Sequence, residues 1–247
     1  MQTVVWLIPT AVVLTSTLSG IFGMGGGMIL MGVYALLLPV SHAMILHGAT
    51  QLAANGFRCC LFWRHVYWRG LGGFGLGACL SLCLIFWSRL VLDKTSLFLM
   101  LGTIPFLGYL PRLPRLTFTR HRQAFFCGLL VTGSQLTAGV SGPLLDIFFL
   151  EGDLNRFQVI ATKAFTQSFG HLFKLIYFGS IIATAEGGDE LPFWIFPAVI
   201  VLSMGGTYLG KRILARISEH GFLKGSRVLV VFIGCGYLAK GLSGLLA

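Results

Sequence analysis

Acidic residues are scarce in this chain. Only 8 Asp and Glu stand against 18 Lys and Arg, and charged residues make up 11% of the 247 positions. Soluble domains carry roughly 25%. The sequence has no HExxH, no GxSxG and no Cys–His pairing at useful spacing, so it lacks the sets that hydrolytic and metal-dependent enzymes require. None of the cysteines Cys59, Cys60, Cys79, Cys83, Cys127 and Cys235 forms a CxxC pair. That argues against a zinc ribbon or disulfide framework and predicts free thiols buried in apolar segments. The start, Met1-Gln2-Thr3, has no basic n-region, so the first apolar run reads as a retained span and not a cleaved signal. No basic domain lies outside the apolar runs. The net charge of +10 therefore does not indicate nucleic acid.

What the chain has is apolar length. Hydrophobic residues make up 55% of it, more than a soluble core of this size can hide. The runs Val4 to Phe22, Leu71 to Trp87, Phe193 to Leu209 and Val228 to Leu246 carry no charge except Lys240. Each approaches the roughly 20 residues that cross a bilayer. Lipid is thus the expected solvent. The excess of Arg and Lys then belongs to cytoplasmic loops.

The chain repeats itself. His47-Gly48-Ala49-Thr50-Gln51 matches Lys163-Ala164-Phe165-Thr166-Gln167 at an offset of 116, and the same offset pairs Asn55 with His171, Phe57 with Phe173 and Arg58 with Lys174. Gly27-Met28-Ile29-Leu30 resembles Gly142-Pro143-Leu144-Leu145, and the GxxxG pair Gly73/Gly77 resembles Gly206/Gly210. Such pairs pack helices closely, within the chain or between two copies. The predicted organisation is repeat 1 over 1–111, a basic connector over 112–122 and repeat 2 over 123–247. Basic residues cluster at Arg64/Arg69, in the connector and from Lys211 to Arg227, whereas 185–191 is acidic. By the positive-inside rule both termini lie outside, the connector lies inside, and the halves have opposite orientation.

Each half contains a break. Gly23-Met24-Gly25-Gly26-Gly27 places four glycines in five positions, and each glycine costs a helix about 1 kcal/mol relative to Ala. Val4 to Pro39 is therefore expected to form a hairpin or broken helix. Its counterpart is Phe125 to Leu150, broken at Gly139-Val140-Ser141-Gly142-Pro143. Irregular backbone survives at membrane depth only inside protein or beside water. Free N–H groups where the helices restart attract anions, which nominates Gly25, Gly26, Gly27, Ser141 and Gly142.

Two polar stripes follow the breaks. Lys163, Thr166, Gln167, Gly170, His171 and Lys174 share one helix face, as do His47, Thr50, Gln51, Ala54, Asn55 and Arg58. A polar stripe in a membrane must face protein or water. Together with Thr162 these polar residues form the candidate anion site. They contain no carboxylate, and cations, hydroxyls and amides suit an oxyanion. Interhelical hydrogen bonding is the other reading of the stripe's Thr and Gln residues, snorkelling to the surface is that of Arg58 and Lys174, and an interfacial place near the helix starts is open to Lys163 and His47. Asp146 is the one acid within the apolar run Leu144 to Leu150. A coupling proton, a pair with Lys163 and a cap on an irregular turn are three roles open to it.

Gly20-Ile21-Phe22-Gly23-Met24-Gly25-Gly26-Gly27 followed by a short apolar run resembles the signature of the TauE/SafE sulfite-exporter family. Ala161-Thr162-Lys163-Ala164 with Gln167 resembles its second-half motif. The second glycine motif here, Gly139-Val140-Ser141-Gly142, is poorer in glycine. The resemblance implies a bacterial inner-membrane, multi-pass carrier that exports sulfite or an organosulfonate such as sulfoacetate. The expected fold is an all-α polytopic bundle of two inverted repeats. A small anion and the bilayer are the expected partners, with a homodimer as a further option and neither cofactor nor metal. The alternatives are an anion channel, a carrier of another small carboxylate or sulfur oxyanion, a membrane enzyme, or an accessory subunit.

Overall fold

A computed structural model describes residues 2–22, 25–109, 116–149, 154–184, 192–214, 216 and 219–246. Gly23, Met24, connector residues 112–115 and the acidic segment 185–191 lie outside them. The described residues are helical or irregular, without strands. The helices are α1 (Gln2–Phe22), α2 (Gly26–Leu37), α3 (Val40–Phe62), α4 (Trp68–Ser88), α5 (Lys94–Thr103), α6 (His121–Thr137), α7 (Gly142–Ile147), α8 (Arg156–Thr184), α9 (Ile195–Leu214) and α10 (Glu219–Leu245).

Length and composition divide these helices. Among the described residues, Trp68–Ser88 and Val228–Leu245 are both long and apolar enough to cross a bilayer, and only 28% and 22% of their apolar windows are buried. They therefore sit at the edge of the bundle with most of their surface outward. In α1 the apolar stretch among described side chains is Leu7–Ile21. The run Phe193 to Leu209 begins later than its sequence suggests, because Pro192 to Trp194 form a turn and α9 starts at Ile195. α8, at 29 residues, measures about 43 Å at 1.5 Å per residue, and its polar stripe keeps it from reading as an apolar span.

The breaks appear where glycine and proline demanded them. α1 stops at Phe22 and α2 restarts at Gly26, after Gly25 at φ +81°, a conformation open to glycine at no steric cost. α2 has 12 residues and ends before Pro39. At about 18 Å it cannot cross the roughly 30 Å hydrocarbon core. The second break turns at Gly139, φ +79°, and α7 has Pro143 in its first turn, where a missing N–H does no harm.

Close packing settles what GxxxG does here. A Cβ on Gly73 would meet His121 O at 2.5 Å and one on Gly77 would meet Phe125 O at 2.0 Å, so this pair seats α4 on α6. Gly206 and Gly210 likewise seat α9 on α1, with Gly210 against Thr17 O at 2.3 Å. Residue numbers rise together along both contacts, so these pairs run parallel. α3 packs on α8 and α5 on α10 with numbers running oppositely: Gly48 meets Leu175 and Phe62 stacks on Phe157, while Gly102 meets Leu238 and Gly244 meets Thr95.

The cysteines correct one expectation. They are free thiols, but only Cys127 is buried, whereas Cys60, Cys79, Cys83 and Cys235 are exposed. An apolar segment in lipid has no reason to turn its thiols inward. Trp63, Trp68, Trp87 and Trp194 are exposed at helix ends, where indole rings suit the lipid–water boundary.

Candidate functional site

A cavity of about 30 Å³ lies where the two breaks meet α3 and α8. Its volume is enough for about two waters or one compact polar group. α1 contributes Ser19, the first break Gly25, Gly27 and Met28, and α3 His47, Gln51 and Asn55. The second break contributes Val140, Ser141, Gly142 and Pro143, and α8 Gln167 and His171.

Polar contacts hold both breaks open. Gly27 O accepts from His47 Nε2 at 2.8 Å. Ser134 Oγ donates to Val140 O at 2.7 Å, and Ser141 Oγ donates to Gln135 Oε1 at 2.5 Å. Tyr237 on α10 donates to Met28 O at 2.7 Å and ties down the start of α2. Irregular carbonyls at this depth thus find partners on neighbouring helices, as backbone away from water requires.

Lys174 is fully buried. Its Nζ lies 2.7 Å from His47 Nδ1 and donates to Gly139 O at 3.0 Å. It does not snorkel, and among the described residues no carboxylate pairs with it. Among the described residues the one ion pair is Lys163–Asp146. Arg58 reaches back to Ser19 O at 3.0 Å and Asn55 Oδ1 at 3.3 Å, bonding a carbonyl and a side chain of two lining residues.

Several nominated residues stand outside the lining. Thr50 donates to Leu46 O at 2.7 Å and lies 3.3 Å from the Tyr34 hydroxyl, and Thr166 donates to Lys163 O at 3.0 Å. Both hydroxyls are spent on their own helix backbone. Thr162 accepts from the Tyr67 N–H at 2.9 Å, fixing the start of α4. Gly26 faces α1, where a Cβ would lie 1.9 Å from Thr15 O. Lys163 and Asp146 form an ion pair, one of the three roles open to Asp146. Of the two nominated lysines on this face, Lys174 lies next to the cavity, against the lining residue His47, and Lys163 is paired with Asp146.

Ser19 and Gln135 were not among the residues nominated from sequence. A signal for both was present: they stand at the same 116-residue offset, each just ahead of its break.

The lining leaves polar atoms unused. Gln51 Nε2 and the Nδ1 of His171 are buried and have no hydrogen-bond partner, although unpaired buried polar atoms are uncommon. The cavity therefore presents an amide donor, a second imidazole and, one side chain away, a lysine amine that no described carboxylate pairs with. Donors of this kind suit a negatively charged group chemically. The lining shows neither paired acids nor a nucleophile with its base.

A family model described as Sulfite exporter TauE/SafE matches residues 8–237. No curated protein and no solved structure matches the chain. The match spans nearly all of the sequence, and the chain belongs to the TauE/SafE sulfite exporter family, a family of membrane transport proteins and not of enzymes.

Proposed function

We propose that this member of the family is a secondary transporter that exports a small sulfur oxyanion, sulfite or an organosulfonate such as sulfoacetate, across the bacterial inner membrane. One observation carries the reading. Gln51 Nε2 and His171 Nδ1 lie unpaired at the cavity, beside a buried Lys174 that pairs with no acid among the described residues. A bound oxyanion would satisfy all three. The cavity accommodates a compact head group, so a longer organosulfonate needs the site to open.

The helix pairing supports two inverted repeats over 1–111 and 123–247, joined by the connector 112–122. Exchanging the halves carries α1 on α9 into α6 on α4, and carries α3/α8 and α5/α10 into themselves. A two-fold axis in the membrane plane makes self-paired helices antiparallel, as these are. The basic segments also gather at one end: Lys211 sits 5.4 Å over the Phe62 ring, and Phe118 packs against Gly70. That end is the cytoplasmic one by the positive-inside rule. Thr95 beside Gly244 puts the end of α10 at the start of α5, opposite the basic end. A homodimer would have to use other faces, since both GxxxG pairs are occupied within the chain.

The test is binding to the detergent-purified protein of sulfite, thiosulfate, sulfoacetate, taurine and simple carboxylates. Sulfite or a sulfonate should bind best. Preference for carboxylates, or binding of none of the panel, would refute the assignment. Saturable, gradient-driven flux in proteoliposomes separates a carrier from a channel.

A further inference from the structure

The hydrogen bonds around His47 restrict where protons can sit. Gly27 O and Gly139 O only accept. His47 Nε2 must then carry a proton to donate to Gly27 O, and Lys174 must donate to Gly139 O. One contact remains, between Lys174 Nζ and His47 Nδ1 at 2.7 Å. With a neutral amine and a neutral imidazole, Nζ donates to Nδ1 and all three bonds stand. One added proton also leaves all three standing: an ammonium donates to Nδ1, or an imidazolium donates to the amine. A second added proton sets N–H against N–H and breaks the link. The pair thus accommodates a charge of zero or plus one in one geometry.

Among the described residues nothing else nearby balances that charge. Tyr34 on α2 and His171 on α8 are the titratable neighbours, with ring centroids 6.5 and 5.5 Å from His47. Arg58, three turns along α3, is bonded at Ser19 and Asn55. On α9, Tyr208, Lys211 and Arg212 are exposed, as are Arg69, Cys79 and Cys83 on α4 and His121 and Arg122 on α6; Cys127 of α6 is buried. None of these groups is bonded to the pair. Asp146 on α7 already has Lys163, and protonating it would strand that lysine.

From this geometry we infer that the His47–Lys174 pair is the coupling-proton site of the transporter, taking up one proton as the anion enters the adjacent cavity and losing it as the anion leaves. The inference rests on the reading of the cavity as an anion site. A buried cation lacking a counterion is costly, and an anion beside it removes that cost, so proton and anion each raise the other's affinity, reciprocally. The proton comes from bulk water and travels in the same direction as the anion. Anion affinity should fall as pH rises through the titration of the pair, then level off.

Calorimetry on the full chain in detergent tests this, using an alkylsulfonate whose own charge is fixed near neutral pH. Titrations in buffers of different ionisation enthalpy count the protons taken up per anion. The count should rise toward one as the pH passes through the titration of the pair. Lys174→Gln should abolish uptake and weaken binding by roughly 5- to 150-fold, the usual range of such couplings. Asp146→Asn should retain uptake, and His171→Asn, which removes a lining group, should weaken binding but keep the uptake per anion bound. Wild-type binding without proton uptake at every pH overturns the coupling site and leaves the anion site standing. Uptake that survives Lys174→Gln but is lost in Asp146→Asn or His171→Asn moves the proton to that residue and overturns the assignment. Failure of the alkylsulfonate, sulfite and sulfoacetate to bind at all overturns both readings.

Discussion

Lys174 Nζ lies 2.7 Å from His47 Nδ1, and through this contact the two residues join the carbonyl of Gly27 to that of Gly139. The link runs from one broken helix to the other through the two central helices. Lys174→Met leaves His47 Nδ1 and Gly139 O buried without partners. Each such group costs about 1–3 kcal/mol, so thermal melting in detergent should show a clear loss of stability. Lys174→Gln, whose amide can still donate, should lose less.

The glutamines and threonines of the stripes should separate. Gln51 and Gln167 line the cavity, while Thr50 and Thr166 bond their own helices. A hydrogen bond to a charged group contributes roughly 1.5–3 kcal/mol, and 1.4 kcal/mol is about one decade of affinity. Gln51→Leu or Gln167→Leu should therefore weaken anion binding by about ten- to a hundred-fold. Thr50→Val and Thr166→Val should leave it nearly unchanged. Equal effects across all four variants would contradict this division.

Adjacent glycines should behave differently. A Cβ on Gly26 would meet Thr15 O at 1.9 Å, which is backbone, whereas one on Gly27 would meet the flexible Gln51 amide at 3.2 Å. Gly26→Ala should cost stability in the range of about 1–3 kcal/mol seen for overpacking. Gly27→Ala should fold well and lower anion affinity. Purified yield and melting temperature report the first effect, and titration with sulfite reports the second.

Lys163 and Asp146 should be coupled in stability. Lys163→Leu strands a mostly buried carboxylate, a loss of up to about 3–5 kcal/mol. The double change with Asp146→Leu should recover most of it. Anion affinity of the double variant should stay near that of the parent, because neither side chain lines the cavity. A ten-fold loss would return Lys163 to the site.

Orientation is open to a direct test. Reporters fused after Ala247 and inserted near Arg115 should lie on opposite sides of the membrane, the first periplasmic. Finding both on one side would refute the inverted arrangement.

Much of the architecture is legible in the order of residues alone. Glycine and proline at Gly25 and Pro39, and at Gly139 and Pro143, mark the helix ends because backbone rules act locally. The stripes on α3 and α8 are legible because helical periodicity places residues on a common face. Which members of a face reach the cavity is not. Periodicity assigns an angle about the helix axis, but neither the depth of a side chain nor its partner. Thr50 and Gln51 are neighbours in sequence, yet one hydroxyl turns to its own backbone and the other side chain lines the cavity.

The sequence by itself determined the solvent, the two breaks, the repeated order of elements and the excess of cations over acids. These follow from composition, local backbone strain and period. Only the tertiary structure decided which lysine is neutralised. Lys163 and Lys174 lie three turns apart on one helix face with the same chemistry. Asp146 happens to pack against the first, whereas the second meets His47 and a carbonyl. That choice depends on how α7 and α3 dock on α8. Docking is set by contacts between residues far apart in the chain, and no local pattern records it.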